Sequence, residues 1–415
     1  MTPGDRPLPR HIAVVGAGLA GVSVCAELRR LGYEGALSLF GEEDGLPYDR
    51  PPLSKDFLLT DMPVEKLWLR PERWYEDNDI DLRLGESVTA LHPFDGRIEL
   101  ARGSAPRADL VVLATGGRPR PLNVPGGHHR SLVALRSLDD AHLLKERLRS
   151  GAEIAVVGGG LIGAEVAASA RALGCSVTVV EPADPPLEHL VGRVHAAALH
   201  AQHQEHGVRV LRTTVDEVVH AGARTVLRLA DGTSLGCDLA VVGVGLEPET
   251  SLAASAGLHT DRGIVVDAHQ RTSHWRMLAV GDAARGKAAS AATAVGHWHA
   301  ARTQAAHAAA GALGLPRPEE TVPWFWSERY GTRLEAAGQP TAGTTTVDRG
   351  SLRDDSVITF ALVDGRCVGA VALNRPREMA AARRLIGRGA VVDPVRLADP
   401  GVDLRSLVPG RPRTA

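Results

Sequence analysis

Two glycine-rich runs carry residues whose type and spacing fit one kind of chemistry, the holding of a pyrophosphate. The first reads Ile12-Ala13-Val14-Val15-Gly16-Ala17-Gly18-Leu19-Ala20-Gly21, and the second Ile154-Ala155-Val156-Val157-Gly158-Gly159-Gly160-Leu161-Ile162-Gly163. In a GxGxxG turn the first glycine permits a tight bend, the second lets the backbone approach the phosphates, and the third lets the helix pack on the strand. The phosphates then face free N–H groups at the helix N-terminus. One match among 45 glycines is weak, but two, each between a strand-like and a helix-like run, point to two bound dinucleotides. A carboxylate follows each turn, Glu42 (with Glu43 beside it) and Glu181, at spacings slightly beyond ~20 residues. A carboxylate there accepts from a ribose 2′-hydroxyl and repels a 2′-phosphate, so Glu181 favours NADH over NADPH.

The elements that must position these groups are legible around them. Residues 11–45 read as a strand, the glycine turn, a helix over about 20–31 and a strand over 36–40, which is a βαβ unit. The second unit repeats the plan, with a helix to about Leu173 and a strand over 176–180. Three more apolar runs stop abruptly at small residues: 109–113 before Ala114-Thr115-Gly116, 277–280 before Gly281-Asp282, and 238–242 before Gly243 and Gly245. Each is a place where backbone can approach a ligand, and each reads equally as a core strand with a turn. The chain is thus organised as one dinucleotide domain interrupted by another, with a third segment from about Pro323. In that segment short strands over 357–362 and 367–373 are joined by the hairpin signal Asp364-Gly365, and a helix follows over 377–386.

Bulk composition narrows the class. At 415 residues, 44% hydrophobic and 23% charged, the chain reads as a globular protein of two to three domains. A net charge of -2 argues against nucleic-acid binding. No apolar run reaches 18 residues and residues 1–10 lack a signal-peptide stretch, so cytoplasmic residence is expected. Cys25, Cys175, Cys237 and Cys367 are far apart, without CxxC or zinc spacing, and are expected to be buried; no metal site and no redox-active thiol pair is expected. From Arg375 to the end there are nine arginines against four acids. That excess reads either as a solvated surface or as a docking face for an acidic partner.

With the two fingerprints, the run Leu46-Pro47-Tyr48-Asp49-Arg50-Pro51-Pro52-Leu53-Ser54-Lys55 and the run Pro323-Trp324-Phe325-Trp326-Ser327 make the chain resemble the FAD-dependent NADH:ferredoxin reductase family, from about residue 11 to 408. The resemblance implies an α/β fold of the glutathione-reductase-like flavoprotein type: two Rossmann-like dinucleotide-binding domains plus a C-terminal α+β domain. Residues 1–118 with 246–322 would bind FAD, 119–245 NADH, and 323–415 would form the C-terminal interface domain. The implied reaction passes electrons from NADH through FAD to an iron–sulfur ferredoxin that serves a cytochrome P450 or Rieske oxygenase. The alternatives are a flavin NADH oxidase or small-molecule reductase without a protein acceptor, and a flavin-bearing signalling protein.

Carried over by position, the resemblance places FAD on Gly16, Gly18, Ala20, Gly21, Glu42, Arg50, Lys55, Val88, Arg136, Asp282 and Trp298. It puts Trp324 and Trp326 by the nicotinamide and flavin rings, and pairs Glu165 near the nicotinamide with the catalytic Lys55. Read without the resemblance, Lys55 and Glu165 are charged side chains of the kind that ordinarily sit on the surface, and the tryptophans are of the kind that fill cores. The chain departs from the family in several places. Gly296 stands for a glutamate that helps orient the nicotinamide, and Ala300 for an asparagine. Pro186 and His189 stand for arginines, and Arg329 for a glutamine. His297 and His299 are expected to pack or face solvent, since no third ligand accompanies them.

Overall fold

The computed structural model describes residues 7–129, 131–222, 224–287 and 298–410. Gly296 and His297 lie outside the described residues. The chain forms two compact units: Met1–Arg50, Met62–Arg118 and Leu246–Glu320 make the first, and Pro51–Asp61, Pro119–Gly245 and Thr321–Ala415 the second.

In the first unit, five parallel strands run in the order Met277–Ala279, Leu110–Leu113, His11–Val15, Ala36–Phe40, Ile80–Arg83. Successive side chains of a strand point to opposite faces, and here both faces are covered. Ile12 and Val14 pack with Val24, Cys25 and Leu28 of the helix Leu19–Arg30 and with Ala305 and Ala308 of the helix Trp298–Ala312. Ala13 and Val15 pack on the other side with Ile98, Leu100 and Leu252. Two-sided burial is why these strands read as unbroken apolar runs.

The second unit repeats the parallel sheet in the order Arg209–Leu211, Ser176–Val180, Glu153–Val157, Leu239–Val242, Leu132–Val133. It adds the antiparallel sheet Trp324–Arg329, Thr332–Gly338, Arg366–Leu373, Ser356–Val363, Thr345–Ser351. One face of that sheet, with Ile358, Phe360, Ala370 and Ala372, holds Met379, Ala382 and Leu385 of the helix Pro376–Gly387. Its other face, with Leu334, Ala336, Val357 and Val371, rests on Val191, Ala196 and Leu199.

This second contact is lined with histidines from the helix Arg193–Glu205. His195 Nε2 lies 3.1 Å from Thr359 Oγ1, and Gln202 Nε2 donates to Thr332 Oγ1 at 2.9 Å. His203 Nδ1 lies 2.8 Å from the Tyr330 hydroxyl, and Arg329 Nη1 lies 3.4 Å from His203 Nε2. A guanidinium only donates, so Nε2 must accept and the Nδ1 proton goes to Tyr330, which makes the ring neutral. Burial lowers His195 and His200, and lowers His203 to about 3. An unfolded chain takes up protons near pH ~6.5 that these rings refuse when folded. Stability is therefore complete above that pH and is expected to fall as pH drops from there toward about 3. Urea midpoints measured between pH 7.5 and 4 check this, and His203→Gln should flatten the slope.

Arg349 ties the end of the chain to the sheet. It is buried, pairs with Glu378 at 2.7 Å and donates to the carbonyls of Leu397, Asp399, Pro400 and Val402. Arg349→Met leaves those acceptors without their donor, and we expect a loss of about 3 kcal/mol in urea unfolding with earlier proteolytic nicking near residues 397–402.

Candidate functional site

Both glycine turns lie where the chain leaves a parallel sheet in opposite directions, the place where α/β sheets open a crevice. Gly16 (φ +110°) follows the strand His11–Val15, and a Cβ on it would stand 2.2 Å from the Ala114 carbonyl oxygen of the neighbouring strand end. Gly158 (φ +104°) bears the same relation to Gly243, at 2.5 Å. A Cβ on Gly21 or Gly163 would stand 2.0 or 2.1 Å from the carbonyl oxygen of Gly16 or Gly158, so helix and strand pack backbone to backbone.

Gly18 and Gly160 are different. They are the N-caps of the helices Leu19–Arg30 and Leu161–Ala172, with φ of -80° and -66°, and a Cβ at either position would meet nothing within 4 Å. Neither conformation nor packing asks for glycine there, and no side chain caps either helix. A glycine that faces open space beside uncapped N–H groups fits an anion that comes close to the backbone. Both cradles therefore suit a dinucleotide pyrophosphate.

The surroundings of the first turn fit the same ligand. Ala114 is buried, Thr115 Oγ1 donates to the Glu249 carbonyl at 2.8 Å, and Gly116 has φ +69°. Gly281 (φ +74°) comes up against Ala20, with 2.9 Å between its added Cβ and that of Ala20, and its N–H donates to Gln304 Oε1 at 2.6 Å. The partly buried Asp282 is thereby carried to the fingerprint helix. The structure also separates the two adjacent acids. Glu43 accepts from the Tyr48 hydroxyl (2.6 Å) and from Arg50 (3.3 Å), whereas the exposed Glu42 has no partner among the described residues. Val88 opens the strand Val88–His92. Trp298 donates from Nε1 to Asp49 at 2.9 Å and lies under Arg302, and His299 is half-buried and engaged within the fold.

At the second turn, Glu181 Oε2 accepts from the Gly159 N–H at 2.6 Å and Oε1 from the Ala183 N–H at 2.8 Å. Leu161 is partly buried and Ile162 is 48% exposed at the helix start, and Gly245 takes φ +114° past the strand Leu239–Val242. Arg136 precedes the capping box of the helix Leu138–Arg147, where its N–H donates to Asp140 at 3.0 Å.

Lys55 and Glu165, which as plain charges belong on the surface, are withdrawn from it in the second unit, Lys55 partly and Glu165 fully, and the surface reading is corrected. Lys55 Nζ lies 2.9 Å from Glu165 Oε2, with side chains 13% and 6% exposed. Ser54 Oγ also donates to Oε2, at 2.5 Å. Ser327 Oγ (2.7 Å) and the Glu328 N–H (3.3 Å) donate to Oε1. Four donors fill the lone pairs of the carboxylate, which is what makes burial of the pair tolerable. Trp326, next to Ser327, is half-buried with its ring 5.0 Å from that of Trp324 at 51°. Ser54 and Ser327 escape a reading of the sequence, although both lie inside the runs singled out there. Their only signal is proximity to Glu165, which lies 111 and 162 residues away along the chain.

The four cysteines are all buried, and burial pushes Cys25 and Cys367 up to about 12. None has the exposed, electropositive setting of a reactive thiol. No helix among the described residues is long and apolar enough to cross a membrane.

Two crevices of this build define a dinucleotide-dependent oxidoreductase, and the chain belongs to the pyridine nucleotide-disulphide oxidoreductase family, matched over residues 10–305, with the reductase C-terminal domain over 324–408. It is 38% identical over 405 residues to the ferredoxin–NAD(+) reductase subunit of the benzene 1,2-dioxygenase system of Pseudomonas putida, covering 97% of this chain and 98% of that one. Rhodocoxin reductase of Rhodococcus erythropolis is 36% identical, covering 96% and 94%. Among solved structures, the covalent putidaredoxin reductase–putidaredoxin complex aligns with TM-score 0.89 at 34% identity, covering 96% and 98%. The ferredoxin reductase for the CYP199A2 system of Rhodopseudomonas palustris aligns with TM-score 0.90 at 33% identity, covering 96% and 100%.

Proposed function

We propose that this protein is an NADH-dependent flavoprotein that reduces an iron–sulfur ferredoxin, and so supplies electrons to a cytochrome P450 or Rieske oxygenase in the cytoplasm. The observation that carries the reading is a duplicated dinucleotide cradle in a chain whose thiols are all buried. Electrons brought by one dinucleotide have no internal thiol pair to rest on, so they leave to an outside acceptor. The relatives named above are reductases of such acceptors.

We assign FAD to the first unit, where the backbone at Gly16, Gly18, Ala20 and Gly21 would receive the pyrophosphate, Glu42 the adenosine ribose and Asp282 the ribityl side. Val88 and Trp298 belong to the same set. NADH is assigned to the second unit, on Gly158, Gly160, Leu161, Ile162 and Gly163, with Glu181 at the ribose and Gly243 and Gly245 closing the turn. Bound FAD would supply the conversion of a two-electron donor into single electrons. Lys55 is the fixed positive charge, held by Glu165, that favours the negative charge arriving with an electron pair; Arg50, Arg136 and Trp326 complete the proposed contacts. On the C-terminal segment Arg377, Arg384, Arg388 and Arg396 are exposed, and their potential would speed encounter with an acidic ferredoxin.

Anaerobic stopped-flow tests this. NADH should bleach the bound flavin much faster than NADPH, and a ferredoxin should then restore its colour faster than oxygen does. Protein that purifies without FAD, or reduced flavin that reacts with oxygen but with no ferredoxin, would overturn the reading.

A further inference from the structure

The chain after Glu181 holds a second charged feature that the assigned contacts do not use. Two of the lone pairs of Glu181 are taken by the Gly159 and Ala183 N–H groups, which leaves one on each oxygen free to accept from ribose hydroxyls. Three residues on, Asp184 Oδ2 lies 2.6 Å from Arg212 Nη1. The pair can form because the Glu181 N–H donates to the Leu211 carbonyl at 3.0 Å, so the ends of the two strands lie side by side. His200, on the helix Arg193–Glu205, feels Glu181, Asp184, Arg212 and Arg329 together, so these groups share one electrostatic neighbourhood. Arg193 is likewise engaged, with Glu188 Oε2 at 3.1 Å and the Asp184 carbonyl at 3.4 Å. The exposed Arg193 and Arg212 guanidinium groups are therefore each already matched by an acid.

We propose that Asp184 is a second determinant of nucleotide choice, which keeps Arg212 from serving as a ligand for a 2′-phosphate. The inference rests on the assignment of this crevice to NADH. A 2′-phosphate brings a charge of about −1.5 to −2, and an arginine near the ribose is how such a group is accommodated. Here the arginine is present, but a carboxylate pairs with its Nη1 and adds repulsion of its own. The pair is exposed, so it adds little to stability; its effect falls on the charge of the ligand. Glu181 rejects the phosphate at the hydroxyl, and Asp184 withholds the cation that would offset that rejection.

The test uses the FAD-loaded protein and two redox-inactive probes, ADP-ribose and 2′-phospho-ADP-ribose, titrated by calorimetry. Asp184→Asn is expected to shift the ratio of the two dissociation constants about tenfold toward the phosphorylated probe, the scale of one charge-assisted contact. Adding Arg212→Gln should return the ratio to its starting value, and raising the salt should shrink the shift. An unchanged ratio in Asp184→Asn, or a shift that survives Arg212→Gln, overturns the proposal while NADH binding stands. A native protein that binds neither ADP-ribose nor NADH removes the underlying assignment, and the proposal with it.

Discussion

Gly18→Val is expected to give a protein that folds as before and loses its flavin. The position is extended backbone with open space around a Cβ, so valine fits the fold and the thermal midpoint of the apoprotein should stay within ~2 °C. The isopropyl group would fill the space where phosphate oxygens meet the helix N–H groups. Loss of one or two charge-assisted hydrogen bonds, about 3 kcal/mol, corresponds to a drop in FAD affinity of roughly 100-fold. Flavin absorbance of the purified protein and titration of the apoprotein with FAD measure it. Gly16→Val is the contrast, since its Cβ would overlap the Ala114 carbonyl at a φ that only glycine takes easily. That variant should lose both stability and flavin. If Gly18→Val retained FAD at native affinity, the cradle would not be a pyrophosphate site.

Removal of Glu165 alone should be the most damaging single change in the second unit. Glu165→Ala leaves the Lys55 ammonium buried without its partner and strips two serine hydroxyls of their acceptor. We expect a cost of about 3 to 5 kcal/mol in urea unfolding. Replacing the pair together, Lys55→Met with Glu165→Leu, should recover part of that loss, because an apolar pair needs no counter-charge while the two serine hydroxyls still lack their acceptor. Reduction of bound flavin by NADH should be slow in both variants. Stability restored without the rate would assign the pair to chemistry; a rate restored along with stability would make it a purely structural staple.

The parts of this fold that are legible in the sequence are those that short-range patterns dictate. The strands expected over 36–40 and 176–180 are Ala36–Phe40 and Ser176–Val180. The helix expected over 377–386 is Pro376–Gly387, with proline at its first turn. Asp364-Gly365 forms its hairpin because both residues take positive φ, 49° and 73°. Other elements carry no such mark. The strands Trp324–Arg329 and Thr332–Gly338 mix aromatic, charged and small residues, since one face meets the helix Pro376–Gly387 and the other meets histidines. The histidine face of Arg193–Glu205 is polar in sequence yet buried, because hydroxyl and amide partners wait on the sheet. Lys55 and Glu165 look like surface charges for the same reason. Their burial depends on Ser54, Ser327 and the Glu328 N–H being brought together from distant parts of the chain. Spacing cannot announce a set of contacts that only the finished fold assembles.

The interleaving of the two units constrains how the molecule can be made. The polypeptide passes back and forth five times, and the short stretch Pro51–Asp61 belongs to the second unit while the residues on either side of it belong to the first. During synthesis the first unit therefore stays incomplete until residues near Glu320 have left the ribosome, although its strand His11–Val15 emerges long before them. Exposed apolar strands must wait over that interval, a period in which aggregation competes with folding. A hybrid gene that exchanges one unit between relatives would need several matched junctions, since no single crossover point separates them.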